Sequence, residues 1–485
     1  MDHTISRRSF IKALAVGTAI VGFDPIKRSW VTTAQAAPPD TSIRLPRLDG
    51  ELVTDEASLA AVADDYGHII SRTPIAVLRP GSASDIMKLM RFARDHDIKV
   101  GARGQGHSTY GQGQVAAGVV IDMSTLNKIG QIRHSSVEVG GGTTWRALLE
   151  ATLPQGYTPP VLTDYLDLSV GGTLAVGGIG GAAQRFGVQV DNVLELTVVT
   201  GEGKLRRCSA RRDRKLFEAA LAGLGQCAII VCARLKLIAA QTNARVFSLR
   251  YSDLATFTED QQTLIGDGRF DYVEGQVIVS DGIAASYLLE AASFYTPPAL
   301  PDNGALLAGL RHDQSTMTFE DKSYFDHLAR LDPVVAFLTQ IGVWGLPHPW
   351  LNIFVPASQV TQYVGNVVAN LTLADTGQGP VLIYPVNTER FGRPLFRTPD
   401  EPVVFLFSVL RTAFTVEIAE QMVLANRALY EQLRPLGGLR YTIDSVPFSP
   451  ADWQDHFGPV WEDLVRAKRR YDPDNLLTPG QGIFL

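Results

Sequence analysis

The sequence predicts two domains of mixed helix and strand, the first of them of the α+β or the α/β class. Three observations support this prediction. Strands alternate with helices between residues 75 and 237, glycine-rich segments connect them, and longer aromatic strands follow from about residue 245. With 485 residues, of which 45% are hydrophobic and 19% charged, the chain is long enough for two domains with separate cores.

The first domain opens with a strand over residues 75–78. Ser82 and Asp85 then mark a helix start with an acidic first turn, and apolar residues at helical spacing extend the helix to about Arg94. Further strands are predicted at 99–103, 119–122, 137–139, 194–200 and 229–237, with helices at 145–153 and 213–222.

The second domain is indicated by aromatic strands such as 270–278 and 350–355. The last stretch, 453–485, is a turn-rich tail that we expect to rejoin the first domain. The predicted organisation is a signal peptide over 1–36, a first domain formed by 41–244 and 442–485, and a second domain over 245–441.

Charge and cysteine content exclude several classes of function. The formal net charge is -6 and no long run of Lys and Arg occurs, so neither nucleic acid nor an anionic membrane is expected as a partner. Cys208, Cys227 and Cys232 lack metal-type spacing, and their odd number argues against a disulfide framework. We therefore expect a small-molecule substrate, no metal site, and cysteines that serve as small core residues.

The N-terminus resembles a Tat export signal. Arg7 and Arg8 precede an apolar stretch over 13–23, and the small residues at 34–36 suit cleavage. The apolar stretch is about half as long as a membrane-spanning helix requires. We expect the Tat machinery to export the protein to the periplasm or the medium, with no membrane span.

The segment GQGHSTYGQGQ, residues 104–114, raises the main functional question. Its glycines let the backbone approach a ligand, but a Rossmann site or a P-loop needs a motif that this chain does not supply. Several glycine loops together can still bind the phosphates of one large cofactor through backbone N–H groups. His107 alone could equally be a loop histidine bonded to a backbone carbonyl.

The loop from Ala102 to Ser108 resembles the flavin-attachment loop of cytokinin dehydrogenases, which are vanillyl-alcohol-oxidase-type FAD flavoproteins. The resemblance extends over nearly the whole chain after the signal, through segments 163–174, 272–275, 287–290, 348–352, 379–385 and 477–484. It implies a two-domain PCMH-type FAD-binding fold of the α+β class, whose substrate domain is an antiparallel sheet covered by helices. It also implies FAD bound covalently through His107.

The resemblance further implies a set of site residues. Those expected to bind FAD are Gly104, Gly106, His107, Ser108, Gln112, Asp164, Ser169, Gly172, Gly178, Gly181, Ile230 and Gln481. Asp164 and Glu290 are expected to be catalytic, and Glu290, Trp350 and Asn352 to bind substrate. The implied reaction oxidises the secondary amine of N6-isoprenoid adenines, with a quinone-like acceptor or O2 reoxidising the flavin.

Physical reasoning favours carboxylates for this reaction, because hydride loss beside a nitrogen develops positive charge and a base takes the N–H proton. Asp164 is otherwise a turn residue, and Glu290, in an apolar segment, needs a partner such as a ligand N–H or an arginine. Glu274 is interpreted as a structural contact. Two alternatives stay open: an alcohol or sugar oxidase on the same scaffold, and a periplasmic protein that binds flavin or purine without turnover.

Overall fold

The computed structural model describes residues 20–24, 29–32 and 43–484. Three short strands, β1 (Ile20–Asp24), β2 (Ser29–Thr32) and β3 (Ile43–Arg44), form an antiparallel sheet in the order β2-β1-β3. Arg7, Arg8 and the small residues at 34–36, on which the export prediction rests, lie outside the described residues.

A second sheet carries the glycine-rich loop. Its elements are β4 (Glu51–Val53), α1 (Glu56–Ala63), β5 (Ala76–Arg79), α2 (Ala83–Asp95), β6 (Val100–Arg103) and β7 (Val119–Asp122). The strand order is β4-β5-β7-β6, with β5 and β6 both parallel to β7. Helix α2 begins where predicted, because the Ser82 side chain accepts a hydrogen bond from the Ser84 N–H.

A third, antiparallel sheet completes the first domain. It is built from β8 (Ser136–Gly140), α3 (Trp145–Thr152), β9 (Tyr157–Thr158), α4 (Val170–Val176), α5 (Ala183–Phe186), β10 (Val193–Thr200), β11 (Leu205–Cys208), α6 (Arg214–Ala220), β12 (Ala228–Lys236) and β13 (Ile238–Ala239). The four main strands are ordered β11-β10-β12-β8, and β13 pairs with β9. All three cysteines are unpaired, and Cys208 and Cys227 are buried as expected.

Helix α4 is an element that the sequence analysis does not predict. Two glycines in seven residues lower its intrinsic helix propensity. The Ser169 hydroxyl caps its first turn by accepting from the Gly172 N–H, and the Thr173 hydroxyl accepts a 2.8 Å hydrogen bond from the Trp145 indole. Capping and tertiary contacts therefore override the local propensity.

The second domain is an eight-stranded sheet with helices. It contains β14 (Asn243–Tyr251), α7 (Leu254–Asp267), β15 (Tyr272–Ser280), β16 (Ile283–Tyr295), α8 (Asn303–Leu307), β17 (Thr318–Ser323), α9 (Tyr324–Leu328), α10 (Asp332–Gln340), β18 (Leu351–Pro356), α11 (Val360–Val368), α12 (Leu373–Thr376), β19 (Val381–Asn387), β20 (Val403–Val409), α13 (Val416–Leu433) and β21 (Leu439–Arg440). The order is β17-β14-β16-β15-β19-β20-β18-β21, and every pairing is antiparallel.

The two faces of this sheet have different roles. One face packs its apolar side chains, among them Val273 and Val277, against α7, α11 and α13. Because side chains alternate along a strand, the intervening residues Tyr272, Glu274 and Gln276 project from the opposite face. That face looks towards the first domain and carries the polar groups described below.

The C-terminal segment packs against the first domain. Helices α14 (Pro450–Phe457) and α15 (Trp461–Tyr471) bury Trp453 and Tyr471 in the same core as strands β8, β10 and β12. Beyond them, the Val100 N–H donates to the Leu476 carbonyl and the Thr478 N–H donates to the Val100 carbonyl. The tail thus lies beside β6, directly before the glycine-rich loop.

Candidate active site

A cavity of about 750 Å³ lies between the first domain and the polar face of the eight-stranded sheet. Its wall contains all but one of the residues predicted to bind cofactor or substrate. From the first domain these are Gly104, Gly106, His107, Ser108, Gln112, Asp164, Ser169, Gly172, Gly178 and Ile230, with Gln481 from the tail. From the second domain they are Glu290, Trp350 and Asn352.

Gly181 is the predicted cofactor residue that the structure places elsewhere. It is absent from the cavity wall, and a Cβ atom on it would lie 2.5 Å from the Tyr272 ring. Its carbonyl accepts a hydrogen bond from the Val273 N–H at the start of β15. The glycine therefore permits close packing between the domains behind the cavity.

The histidine loop follows β6 and is fixed by buried polar contacts. The Asp65 carboxylate accepts hydrogen bonds from the Ser108 hydroxyl at 2.9 Å and from the Gly111 N–H at 2.7 Å. The Gln112 side chain accepts from the Tyr110 N–H and donates to the Asp444 carbonyl. Ser108 and Gln112 thereby hold the loop in place as well as lining the cavity.

His107 lines the cavity and lies in an aromatic cluster. Its ring stacks on Tyr66 with centroids 4.1 Å apart, and the rings of Tyr165 and Trp350 are 5.0 and 5.8 Å away. Burial, with a smaller effect of His348, lowers the pKa of His107 to about 3. The imidazole is therefore neutral at physiological pH and keeps a nucleophilic nitrogen lone pair.

Asp164 lies in a compact network with residues from the second domain. Its Oδ1 accepts a 2.8 Å hydrogen bond from the Tyr272 hydroxyl and a 2.7 Å bond from Arg330 Nη2. The same Nη2 lies 3.0 Å from Glu274 Oε2 and also contacts the Tyr272 hydroxyl. Asp164, Glu274 and Arg330 line the cavity, and the phenol of Tyr272, which is not a lining residue, completes their network.

The two carboxyl groups differ in pKa. Burial raises the pKa of Asp164, but Arg330 and hydrogen bonds with Glu274 and Tyr272 outweigh burial and hold it below its usual value. Burial and the neighbouring Asp164 charge raise the pKa of Glu274 well above its usual value. Of the two carboxyl groups, Asp164 therefore holds the negative charge more readily and is suited to accept a proton, whereas Glu274 holds a proton more readily.

Glu274 is a functional candidate that the sequence reading missed. The one signal available was its position in the segment 272–275, because alternation places Tyr272 and Glu274 on the same face of β15. The arginine that completes the network follows 56 residues later in the chain, and nothing in the local pattern connects the two.

Glu290, predicted as catalytic, pairs directly with Glu274 across β15 and β16. Its Oε2 accepts a 3.0 Å hydrogen bond from Gln276, and among the described hydrogen bonds and ion pairs none joins it to Asp164 or to an arginine. Glu290 thus lies beside the Asp164 network on the same wall and is bonded to an amide instead of a charged partner.

Asn352 offers a further unsatisfied polar group on the same face. It is 3% exposed, and its Nδ2 has no hydrogen-bond partner; Ser408 Oγ, beside it on β20, is also unpartnered. Both residues line the cavity. Because a buried polar atom without a partner is costly, these groups indicate a wall built for a polar ligand.

Comparisons with known proteins agree with this site. A family model described as "FAD binding domain" matches residues 74–209. A second, "Cytokinin dehydrogenase 1, FAD and cytokinin binding", matches residues 242–302 and 285–484. Cytokinin dehydrogenase 2 of Arabidopsis thaliana is 35% identical, over 91% of this chain and 95% of its own length. The chain belongs to the cytokinin dehydrogenase family.

Other members and neighbours of this family extend the comparison. An uncharacterised oxidoreductase of the fasciation locus of Rhodococcoides fascians is 39% identical, over 88% of this chain and 97% of its own. The crystal structure of 6-hydroxy-D-nicotine oxidase from Arthrobacter nicotinovorans superimposes with a TM-score of 0.66 at 21% identity, covering 89% of this chain and 96% of that one. The predicted α+β, PCMH-type fold is confirmed, and the protein is an FAD-dependent oxidoreductase.

The cavity of this cytokinin dehydrogenase family member fits FAD. A Cβ atom on Gly113 would meet nothing nearer than 3.9 Å, and one on Gly104 or Gly172 would meet only the Ser169 side chain. These glycines are thus not required by close backbone packing, and side chains there would fill the cavity. Their backbone, with Ser169, would hold the cofactor, which when bound supplies a hydride acceptor.

Two further properties concern the described residues alone. No group of His, Cys, Asp and Glu within them has the arrangement of a metal site. Within the same residues, none of the helices combines the length and the apolar character needed to cross a bilayer.

Proposed function

We propose that this oxidoreductase oxidises the secondary amine side chain of N6-isoprenoid adenines, the cytokinins. The observation that carries the proposal is the Asp164 carboxylate on the cavity wall, which accepts hydrogen bonds from Arg330 and Tyr272. Asp164 directly precedes Tyr165, whose ring lies 5.0 Å from that of His107. A carboxylate near the predicted flavin attachment point suits a substrate that loses a proton and a hydride together.

The proposed reaction breaks two bonds on the substrate and forms a C=N bond. The carbon beside nitrogen gives up a hydride, with two electrons, which FAD would accept when bound, and Asp164 accepts the N–H proton. The negative charge of Asp164 also stabilises the iminium character that develops on the nitrogen. Water then adds to the imine, and the carbon–nitrogen bond breaks to give adenine and an aldehyde.

The purine is proposed to lie against the polar groups of the sheet. Asn352 Nδ2 and Ser408 Oγ are free to bond ring nitrogens, and Glu290, held by Gln276, accepts a ring N–H. Trp350 provides a flat apolar surface within the aromatic cluster. An adenine offers donors, acceptors and a planar face that match this set.

His107 is proposed to form the covalent bond to FAD. The neutral imidazole in its aromatic cluster is a suitable nucleophile, and attachment would fix the flavin beside this cluster. A quinone-like acceptor or O2 is proposed to reoxidise the flavin. The residues before 37 support export by the Tat machinery to the periplasm or the medium.

Anaerobic mixing with isopentenyladenine tests the proposal. Loss of the visible flavin absorption, followed by release of adenine and an aldehyde, supports it. Bleaching by an alcohol or a hexose, with none by isopentenyladenine, would favour the oxidase alternative on this scaffold. A flavin that no member of such a panel reduces would indicate binding without turnover.

A further inference from the structure

Arg330 occupies a position that no sequence motif assigns. It lies in the turn between α9 and α10, with its side chain 19% exposed, and its Nη2 contacts both Asp164 and Glu274. Its guanidinium carbon stands 4.9 Å from the centre of the Tyr272 ring. Among the described ion pairs, no other cation reaches either carboxylate.

The contacts are unequal at the two carboxyl groups. Arg330 and the Tyr272 hydroxyl both donate to Asp164 Oδ1 and leave Oδ2 free of these two groups. Glu274 receives one bond from Arg330, and its buried Oε1 has no partner. One guanidinium cannot compensate two adjacent carboxylate charges that are largely removed from water, so the pair retains one proton. Asp164 holds the negative charge better than Glu274, because it accepts two hydrogen bonds and its side chain is 25% exposed against 9% for Glu274.

We propose that Arg330 is the positioning residue that selects Asp164, rather than Glu274, as the ionised carboxylate, and that turns its Oδ2 towards the substrate. This inference rests on the proposed role of Asp164 as the base. Arg330 also lines the cavity, but in this scheme it acts through Asp164 and Glu274.

The neighbouring titratable groups do not compete in the neutral pH range. From α9, His327 contacts the Tyr272 ring at 5.0 Å, and burial lowers its pKa to about 3. Burial raises the pKa of Tyr272 and of Tyr384, on β19, well above the usual value. Lys322, on β17, is paired with Glu320. Glu290, on β16, pairs with Glu274 and is bonded to Gln276, so measurements in a Glu290→Gln background separate its titration from that of the Asp164 and Glu274 pair.

Arg146 provides a matched control. Its Nε donates to Asp167 at 2.7 Å and its Nη1 to Asp332 at 2.9 Å, so it connects the segment that carries Asp164 with the segment that carries Arg330. Arg146 forms no ion pair with Asp164 or Glu274 among the described residues. An Arg146→Met change removes a guanidinium that bridges two carboxylates, as Arg330→Met does. Only the latter removes the charge beside the proposed base.

The experiment measures kcat/KM for flavin reduction by isopentenyladenine against pH. Without the cation the pKa of Asp164 rises, and the ionised base is lost at a higher pH. We expect Arg330→Met to shift the acid limb of the pH profile of kcat/KM to higher pH by at least about one unit. Below the limb, kcat/KM should be about tenfold lower than in the wild type, and it should recover as the pH rises. Arg330→Lys retains the charge and should show a smaller shift in the same direction, whereas Arg146→Met should keep the wild-type limb.

Infrared titration of the holoenzyme gives a readout that needs no substrate. A protonated carboxyl group gives a carbonyl band, and the band that is lost in Glu274→Gln belongs to Glu274. Asp65 and Asp444 also contribute to this spectral region, because burial raises their pKa values to about 6 and about 7. In Arg330→Met a second protonated carboxyl, absent in the Asp164→Asn, Arg330→Met double variant, should persist to higher pH. If Arg330→Met does not fold, Arg330→Lys carries both measurements.

The two hypotheses fail in different ways. If Asp164→Asn keeps the wild-type rate, the proposed base is wrong and the proposed function fails with it. If Asp164→Asn loses activity while the Arg330 variants keep both the wild-type acid limb and the wild-type infrared titration, the selection by Arg330 is overturned and the base assignment stands.

Discussion

Replacing Asp164 by Asn is the most direct test of the site, because the change removes one charge and almost no volume. In this structure Tyr272 and Arg330 donate hydrogen bonds to Asp164 Oδ1 at 2.8 and 2.7 Å. The amide oxygen of an asparagine at the same place can still accept both hydrogen bonds. His107 and the glycine wall are untouched. We therefore expect Asp164→Asn to fold and to keep its flavin.

The loss of rate follows from the loss of the base. Removing a general base typically costs about a hundredfold to ten-thousandfold, or roughly 3 to 5 kcal/mol of transition-state stabilisation. We expect at least about a hundredfold loss of kcat for isopentenyladenine, with KM little changed. Alkaline pH should reduce the deficit if solvent can take the proton from the substrate.

The structure adds a second expectation for this variant. Burial is the largest cause of the raised pKa of Glu274, and the Asp164 charge is the next. Asp164→Asn removes that charge and should leave Arg330 in place, whose Nη2 lies 3.0 Å from Glu274 in this structure. The pKa of Glu274 should therefore fall, and this carboxylate becomes a misplaced base for the residual reaction. An Asp164→Asn, Glu274→Gln double variant should be slower than Asp164→Asn alone.

Rapid-mixing measurements of flavin reduction separate this chemistry from reoxidation by the acceptor. Flavin content and the thermal unfolding midpoint of each variant serve as controls for folding. Turnover by Asp164→Asn within a few-fold of the wild type would refute the reasoning, because Asp164 would then be a turn residue and amine oxidation would require another base.

Three other predictions concern the cofactor, the substrate and export. His107→Ala should release its flavin on acid denaturation, whereas the wild-type protein stays yellow; free FAD released from the wild type would disprove the covalent bond. Glu290→Gln should raise KM more than it lowers kcat, because Glu290 bonds Gln276 and does not reach Asp164, so an equal loss in both would contradict a ligand-binding role. Arg7→Lys with Arg8→Lys should abolish export, measured by fractionation, and normal export of this double variant would refute the Tat assignment.

The sequence predicts the parts of this fold that depend on local signals. The Ser82 cap with Asp85 defines the start of α2, and the apolar strand 119–122 forms where expected. Helix α4 was missed because its stability depends on the Thr173 to Trp145 hydrogen bond, which joins positions 28 residues apart. The local sequence does not distinguish a glycine that makes room for a ligand from one that makes room for a packed side chain. Gly181 is predicted to bind the cofactor, but in the structure it makes room for the Tyr272 ring.

The choice between the two glutamates shows why the site was only partly predictable. Glu274 and Glu290 are directly paired on adjacent strands and face the same cavity, so sequence pattern and strand alternation treat them alike. What separates them is the partner: Arg330 for Glu274 and Gln276 for Glu290. A charged partner changes which carboxyl keeps its proton, whereas an amide partner fixes orientation without adding charge. The chemical division of this wall, in which Glu274 is proposed to keep a proton beside the base Asp164 and Glu290 is proposed to bind the ligand, therefore depends on one arginine in a turn that is distant in the sequence.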